Sequence, residues 1–437
     1  MLTAFTRAFK TPDLRRKLLF TLAIVILFRL GSHVPVPGVS YTAVQACIKG
    51  APTNSGVLGL ANLFSGGALL QLSIFALGIM PYITASIIVQ LLTVVIPRFE
   101  ALKKEGQQGQ TKMTQYTRYL TIGLAVLQSS TLITFAQNPS ALFGPGCTKI
   151  LPNDSIPTLV IMVLTMTAGT GVVMWLGELV TDKGIGNGMS LLIFTSIAST
   201  FPSSLWAIQQ QDGRWDIFIG VILLGFGIIA LVVFVEQSQR RIPVQYAKRQ
   251  VGRQMYGGTS TYIPLKVNMA GVIPVIFASS LLALPSLLAQ FNRSTTGNQA
   301  GWVTWIDSHF VRGDHPIYMI TYIALILFFT FFYVSITFNP VEVADNMKRY
   351  GGFIPGIRAG RPTAEYLDYV LTRITVAGAI YLGLLALIPL IALVAVGANT
   401  NFPFGGTSIL IIVGVGLETV KQIESQLQQR HYEGFLR

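Results

Sequence analysis

The sequence predicts an all-α, polytopic membrane protein of ten transmembrane helices in two inverted-repeat halves of five, with one short re-entrant helix. Three observations predict this class. Hydrophobic residues make up 51% of the 437 residues and charged residues only 11%, whereas soluble domains carry about 25% charged residues. Ten apolar runs alternate with polar, basic stretches. No stretch shows the alternation over about ten residues that is typical of outer-membrane β-barrels.

The ten apolar runs define the predicted spans. A helix needs about 20 apolar residues to cross a hydrocarbon core of about 30 Å. Backbone polar groups within lipid must be hydrogen-bonded internally, so each run is expected to be helical. The fifth and tenth runs are the shortest. The runs are residues 18–33, 73–96, 119–135, 158–177, 189–200, 217–235, 270–288, 316–337, 374–396 and 407–420.

Orientation follows from the distribution of the 31 Lys and Arg residues. Most lie in one set of loops, which the positive-inside rule makes cytoplasmic together with both termini. The first span follows the basic cluster Arg15 to Lys17, but no small-residue cleavage site follows it, so we expect it to be retained. The basic loops are residues 1–17, 97–118, 178–188, 236–269, 338–373 and 421–437. The opposite loops hold Lys49, Lys149, Arg214, Arg293 and Arg312.

Interrupted helices in corresponding positions indicate an inverted repeat. The second run contains Pro81 and Gln90, and Asn268 and Pro274 lie at the start of the seventh. Proline removes a helix hydrogen bond and is expected to kink the helix. Paired interruptions around a central site are typical of inverted repeats. The predicted halves are residues 1–205 and 206–437.

A short apolar segment between the first two spans, residues 57–67, cannot cross the membrane. As a helix, residues 57–66 would reach only about 15 Å, half the hydrocarbon core. Two interpretations stay open. The segment is either an interfacial or re-entrant helix on the outer face, or a movable half-helix lining an aqueous cavity, where irregular backbone is tolerated at membrane depth. Gly59, Gly66 and Gly67 would allow it to hinge.

Two cytoplasmic loops, residues 236–269 and 338–373, are long and strongly basic. Such runs are either orientation signals with lipid headgroup contacts or a docking surface for a partner. Both loops are too long for simple connectors and contain Gly and Pro at spacings typical of structured loops, which favours the docking surface.

The sequence lacks the motifs typical of enzymes that make or break covalent bonds. It contains no P-loop, no H-E-x-x-H and no G-x-S-x-G, so an enzyme is not expected. The stretch from Gly184 to Gly188 follows a membrane helix and not a strand, which predicts tight re-entry into the next helix. Four His and two Cys leave little for a metal cluster, and no metal or cofactor site is predicted. Cys47 and Cys147 both fall in outer loops and could pair.

A secondary transporter built from inverted repeats is the alternative. Ion-coupled transporters place ionisable groups at mid-membrane. Here the charged residues of the spans are few and lie near their ends: Arg29, Glu178 and Glu236. This pattern weakens the transporter hypothesis, and an intramembrane hydrolase fails for want of a nucleophile and base.

The chain resembles the SecY family of bacterial protein-translocase channel subunits over essentially its full length. Seven stretches carry the resemblance: VPVPGV (34–39), NLFSGGALLQLSIFALGIMPYITASIIVQLL (62–92), GIGNGMSLLIF (184–194), RRIPVQYAKR (240–249), YIPLKVNMAGVIPVIFASS (262–280), FNPVEVADNMKRYGGFIPGIRAG (338–360) and QIESQL (422–427).

The resemblance implies an hourglass pore between the two halves, closed outside by a plug and able to open sideways to lipid. The segment 57–67 takes the plug position, with Leu60, Asn62, Leu63, Phe64, Ser65 and Gly66. The pore ring falls on Ile79, Ile83, Met189, Ile193, Ile276 and Ile411, where Met189 replaces the isoleucine usual in the family. An apolar neck of this kind excludes ions by dewetting and deforms around a passing chain.

The resemblance also implies partners and a location in the plasma membrane. Gln90 and Asn268 would form a polar patch at the lateral gate, where hydrogen bonding across two helices contributes about 1 kcal/mol. The residues expected to bind the SecA motor or the ribosome are Arg240, Arg241, Lys248, Arg249, Arg253 and Arg358. The expected function is passage of unfolded preproteins with signal peptides, and release of apolar segments into membrane lipids, beside the SecE and SecG subunits.

Overall fold

The computed structural model describes a predominantly helical chain. The described residues are 9, 11–50, 65–137, 139, 147, 150–212, 215–246, 249–251, 254–256, 260–291, 301–311, 315–396 and 406–433. In the first half of the chain the helices are α1 (Pro12–Gly31), α2 (Tyr41–Gly50), α3 (Met80–Val95), α4 (Pro97–Lys104), α5 (Gln107–Gln137), α6 (Ile156–Lys183) and α7 (Gly188–Asp212).

The second half contains helices and a small sheet. The helices are α8 (Trp215–Gln237), α9 (Ile273–Phe291), α10 (Gly301–Ile306), which continues as a π-helix (Asp307–Val311), α11 (Pro316–Thr337), α12 (Pro340–Arg349), α13 (Arg361–Val396) and α14 (Gly406–Glu433). The strands are β1 (Gln239–Tyr246), β2 (Arg249–Val251), β3 (Gln254–Tyr256), β4 (Ser260–Lys266) and β5 (Gly352–Phe353).

Each of the ten predicted spans coincides with one helix, but the bounds differ. Helices α5, α13 and α14 extend well beyond the apolar runs, because their polar ends continue the helix past the apolar segment. The length and hydropathy needed to cross a membrane are met, among the described residues, by Ile156–Lys183, Pro316–Arg349 and Arg361–Ile388. A fourth span results if α3 and α4, bent by 99°, count as one. The count of ten spans therefore stays a prediction.

The kink predicted at Pro81 is wrong, because Pro81 lies in the first turn of α3. Proline is tolerated there, since the first N–H groups of a helix have no partner within it. Residues 65–79 form turns where the second span was expected to be helical already. Gly66, Gly67 and Gly78 have positive φ in this segment, a conformation that glycine adopts without strain. Pro274 likewise occupies the first turn of α9, so the two helices correspond in the way they begin.

The fold class needs one correction, since the loops 236–269 and 338–373 form a sheet. Strand β1 pairs antiparallel with β4, from Gln239↔Lys266 to Gln245↔Ser260, and with β5 at Gln245↔Phe353. The strand order is β4-β1-β5, while β2 and β3 form a separate hairpin. Ile242 and Val244 alternate with exposed neighbours along β1, the pattern of a sheet with one covered face.

Cys47 and Cys147 form a disulfide with a Cα–Cα distance of 5.4 Å. The pairing joins α2 to the segment before α6, and Cys147 is buried in an apolar cluster with Val44, Ile150 and Leu151. Disulfides persist in oxidising compartments. The pair therefore agrees with the predicted location of both loops on the outer side.

Helix α6 packs tightly against the turns that precede α3. A Cβ added at Gly169 would collide with the backbone carbonyl oxygen of Ile74 and come within 2.9 Å of its Cγ2. Because the Ile74 backbone could move only at a large cost in free energy, glycine is required at this crossing. Two residues further along the same helix, a Cβ at Gly171 would meet open space.

We predict that Gly169→Ala lowers stability by about 1–3 kcal/mol, the usual cost of overpacking. The matched substitution Gly171→Ala is expected to leave stability unchanged or slightly raise it through helix propensity. The midpoint of thermal unfolding of the purified protein in detergent measures both. Equal midpoints for the two variants would contradict the tight crossing.

Candidate functional site

The predicted pore ring converges from four helices. Ile79 and Ile83 lie at the start of α3, Ile193 on α7, Ile276 on α9 and Ile411 on α14. Each of these isoleucines is at most 9% exposed, all five belong to one hydrophobic cluster, and Met189 packs against that cluster. All six predicted ring residues therefore belong to one buried apolar cluster or pack against it, and their role as a pore ring stays a prediction.

Local structure explains how α7 presents its two ring residues. Helix α6 ends at Lys183 and α7 begins at Gly188, which confirms the predicted tight re-entry. Gly186 takes a positive φ, and the Asn187 side-chain oxygen accepts hydrogen bonds from the backbone of Met189 at 3.1 Å and Ser190 at 3.5 Å. Met189 and Ile193 are then one turn apart on the same face of α7.

The predicted plug lies only partly within the described residues. Leu60, Asn62, Leu63 and Phe64 lie outside them, whereas Ser65 and Gly66 are described and buried. Ser65 Oγ accepts a hydrogen bond from Leu69 N at 3.1 Å. Gly66 O accepts one from Arg29 Nη1 at 2.7 Å, so the charged residue within the first span has a specific partner here.

The segment after Gly66 is fastened to the end of α1. Backbone hydrogen bonds join Val36 N to Leu72 O at 3.0 Å and Ile74 N to Val34 O at 2.9 Å. The rings of Phe28 and Phe75 stack with centroids 6.0 Å apart. We refer to residues 28–36 together with residues 65–75 as the α1 clasp. It fixes the chain immediately after the plug position.

The predicted gate residues have different neighbours from those expected. Helices α3 and α9 contact each other, but Asn268 Nδ2 donates to Glu236 Oε1 at 2.6 Å and to Gly271 O at 3.1 Å, and not to Gln90. The expected hydrogen bond between Gln90 and Asn268 is therefore wrong for this conformation. Asn268 lies two residues after the end of β4 and before α9, and its hydrogen bond to Glu236 places it beside the end of α8. Glu236, noted only as a charge at a helix end, is the partner that sequence reasoning missed.

The predicted docking residues that the structure describes lie on strands β1 and β2 and in the segment after β5. Arg240 and Arg241 are exposed on β1, and the Arg241 guanidinium lies over the Tyr262 ring at 4.8 Å. Arg249 begins β2, whereas Lys248 and Arg253 lie outside the described residues. Arg358 is exposed between β5 and α13, and its carbonyl oxygen accepts a hydrogen bond from Thr363 Oγ1 at 2.8 Å.

One apolar core lies beneath this surface, which we call the docking sheet: strands β1, β4 and β5 with the flanking helix α12. Its core combines residues from both basic loops and from α13: Ile242, Val244, Leu265, Met347, Ile354, Leu367 and Val370. The two loops are therefore a single packed unit, on which Arg240, Arg241 and Arg358 are exposed. Arginine suits carboxylate or phosphate partners, which its planar fork binds in a bidentate manner.

An ion pair joins α5 and α6 in the other half. Arg118 Nε and Nη2 donate to the two carboxylate oxygens of Glu178 at 2.9 and 2.7 Å. This charge-assisted hydrogen bonding raises the pKa of Arg118 above its ordinary value. Among the described residues, no group of three or more His, Cys, Asp or Glu could hold a metal ion.

Known proteins resemble this chain over its whole length. The SecY family model matches residues 73–420. The protein translocase subunits SecY of Streptomyces galbus and Mycobacterium tuberculosis are 68% and 59% identical to it, and each comparison covers 100% of both chains.

Solved channels share the fold. "The structure of a protein conducting channel" superposes with a TM-score of 0.61 at 19% identity, covering 94% of this chain and 91% of that one. "Sec61 in the Canine ribosome-channel complex from the endoplasmic reticulum" gives a TM-score of 0.59 at 18% identity over the same shares. At these identities the likeness establishes the architecture alone.

We predict that Ile242→Asp unfolds the docking sheet, because it places a carboxylate in the core at a cost of about 3 kcal/mol or more. Gln245→Asp, on the exposed face of the same strand, is the matched control and should leave the sheet folded. Limited proteolysis of inside-out vesicles measures the outcome as cleavage within residues 239–266. Resistance of the Ile242 variant equal to that of the control would contradict the packing.

Proposed function

The chain belongs to the SecY family of protein translocase subunits, and we propose that it works as the central protein-conducting channel of a plasma membrane translocase. It passes unfolded secretory polypeptides outward and releases transmembrane segments sideways into lipid. A small-solute transporter is not favoured by this family membership. The protein is a channel subunit and not an enzyme.

The observation that carries this proposal is the convergence of the six ring residues. Side chains from α3, α7, α9 and α14 meet in a dry cluster, although they lie far apart in the sequence. Apolar contacts have no preferred direction, so such a neck can part around a chain of any sequence and close again behind it. While closed, it excludes ions because water does not wet an apolar constriction.

The proposed membrane architecture has ten spans, with halves 1–205 and 206–437 and both termini cytoplasmic. The basic docking sheet would then lie in the cytoplasm and the Cys47–Cys147 disulfide outside. These positions agree with the positive-inside rule and with the oxidising outer compartment. The α1 clasp supports a plug at residues 57–67, since it anchors the residues that follow.

We propose that the docking sheet binds the partners that drive polypeptide transport. The chain has no nucleotide-hydrolysing motif, so the SecA motor or the translating ribosome would push the polypeptide, and SecE and SecG would complete the complex. Arg240, Arg241 and Arg358 offer exposed charge for a protein carboxylate or an RNA phosphate. A ribosome is bound by one structural neighbour, the canine channel.

The direct test is reconstitution. The chain, purified with its membrane neighbours and inserted into liposomes, should bring a signal-bearing precursor into protease protection when SecA and ATP are added. Protection should disappear without ATP and with a precursor lacking its signal peptide. Failure of protection alongside an active known translocase, with all subunits present, would refute the channel function.

We predict that Ile276→Ser raises the resting ion conductance about tenfold, because a hydroxyl in the neck removes about 1.4 kcal/mol of the barrier to wetting. Leu281→Ser on the same helix is the control, since Leu281 is 41% exposed and Ile276 only 7%. Single-channel recording in planar bilayers compares the two. Equal conductance of both variants would remove Ile276 from the ring.

We predict that Arg358→Glu reduces motor-driven export about tenfold or more, since charge reversal replaces attraction to a carboxylate or phosphate by repulsion. Arg361→Glu is the control: Arg361 is also exposed but pairs with Glu365 at 3.0 Å, a surface pair that contributes about 0–1 kcal/mol. Precursor translocation by vesicles carrying each variant gives the measurement. Normal export with Arg358→Glu would refute the docking role.

A further inference from the structure

A series of hydrogen bonds runs from the docking sheet to the turn that precedes α9, which begins beside the predicted gate residue Asn268 and is here called the gate helix. The β1–β4 ladder ends at the pair Gln239↔Lys266. The next rung joins Val267 N to Ser238 O at 3.1 Å. The last link is a side-chain pair, in which Asn268 Nδ2 donates to Glu236 Oε1 at 2.6 Å.

The Glu236–Asn268 hydrogen bond lies beside a stretch of backbone that belongs to no helix or strand. Between the end of β4 and the start of α9 at Ile273 the chain has no regular structure, and Gly271 takes a positive φ. Asn268 spans the gap, because its Nδ2 also donates to Gly271 O at 3.1 Å. One amide group thus holds both the end of α8 and the turn that begins α9.

The Asn268 side of the pair is buried and closely packed, whereas Glu236 is partly exposed. Asn268 is 3% exposed, so water competes little for its amide. A Cβ added at Gly378 of α13 would lie 2.6 Å from Val267 O, which shows how closely a third helix approaches. Asn268 Oδ1 and Tyr381 Oη are buried, and no partner for either lies among the described residues. The nitrogen is thus the hydrogen-bonded end of the Asn268 amide, and its acceptors are Glu236 Oε1 and Gly271 O.

We propose that the Glu236–Asn268 pair is the joint through which the docking sheet moves the gate helix α9. Glu236 is a positioning residue: it makes the end of α8, the sheet and the start of α9 move as one body. A displacement of the sheet by a bound partner then reaches the contact between α9 and α3. The inference rests on the proposed function, because it needs a partner on the sheet and a gate at α9.

The test separates partner binding from gate movement in the reconstituted complex. For each variant, the affinity for SecA is measured first, and the rate of precursor protection is then measured at saturating SecA and ATP. With Glu236→Ala the affinity should stay within about twofold of the parent, because Arg240, Arg241 and Arg358 are untouched. The rate should fall about tenfold, the factor that corresponds to loss of one hydrogen bond to a charged group.

Three further variants exclude a merely structural explanation. Glu236→Gln keeps an acceptor for Asn268 and should restore the rate to within about threefold of the parent. The double variant E236L/N268L removes the bond while filling the space, so it should fold but stay slow. Glu178→Ala breaks the Arg118–Glu178 pair at another helix end, away from the sheet, and should translocate at the parental rate.

The outcomes are distinct. A parental rate with Glu236→Ala overturns the joint, and so does a loss of SecA affinity in that variant, because the pair would then only hold the sheet together. If Glu236→Ala does not accumulate, E236L/N268L decides, and a parental rate for it overturns the proposal. Failure of the parent chain itself to translocate would refute the channel function and not this inference.

Discussion

Hydrophobic burial, in one cluster that includes isoleucines from four separate helices, is the interaction on which the rest of the structure depends. A pore for unfolded polypeptide must admit side chains of every shape, so its closure cannot rely on directional bonds that would have to be satisfied again each time. Hydrophobic contact is non-directional and reversible. Directional polar interactions join other parts of the structure, in the α1 clasp, at Arg118–Glu178 and at Glu236–Asn268.

The two halves of the chain meet their surroundings differently. In the first half, the long basic loop after α3 continues as the helices α4 and α5. Glu100 pairs with Lys104 within α4, and Glu105, after α4, pairs with Lys112 of α5 on an exposed surface. Such pairs contribute little to stability. In the second half, two basic loops share a buried core and a common sheet. The sheet therefore packs as one unit with α12 and α13.

The sequence was informative wherever the hydrophobic effect acts over a whole helix. The apolar runs located the helices, and the residues that the family motifs assign to the ring lie in or against one buried cluster, while the ring itself stays a prediction. Helix ends were less predictable, because α13 begins at Arg361 with polar residues that carry no membrane signal. The sheet was missed because Pro243 and Pro264 lie in its strands and β5 is only two residues long. Pro243 is accommodated since β5 pairs only with the far end of β1, which leaves the backbone at Pro243 without a second partner.

Contacts between side chains distant in sequence were beyond reach. Glu236 and Arg29 each stood out as a charge near the end of a span, but periodicity does not reveal that their partners are Asn268 and the carbonyl oxygen of Gly66. A hydrogen-bonded partner depends on the angle at which two helices cross and on the turns that join them. The periodicity of apolar residues along one segment reveals neither the crossing angle nor the turns.

The α1 clasp has an evolutionary consequence. The end of the first helix and residues 65–75 interlock through backbone bonds, a ring stack and the Arg29 hydrogen bond, so neither segment keeps its conformation without the other. Gly31 shows how closely the two fit, because a Cβ there would collide with the Phe75 ring. Substitutions in one segment are thus acceptable only with compensating changes in the other. Across related chains the two segments should be inherited as a block, and chimeras that exchange one must exchange both.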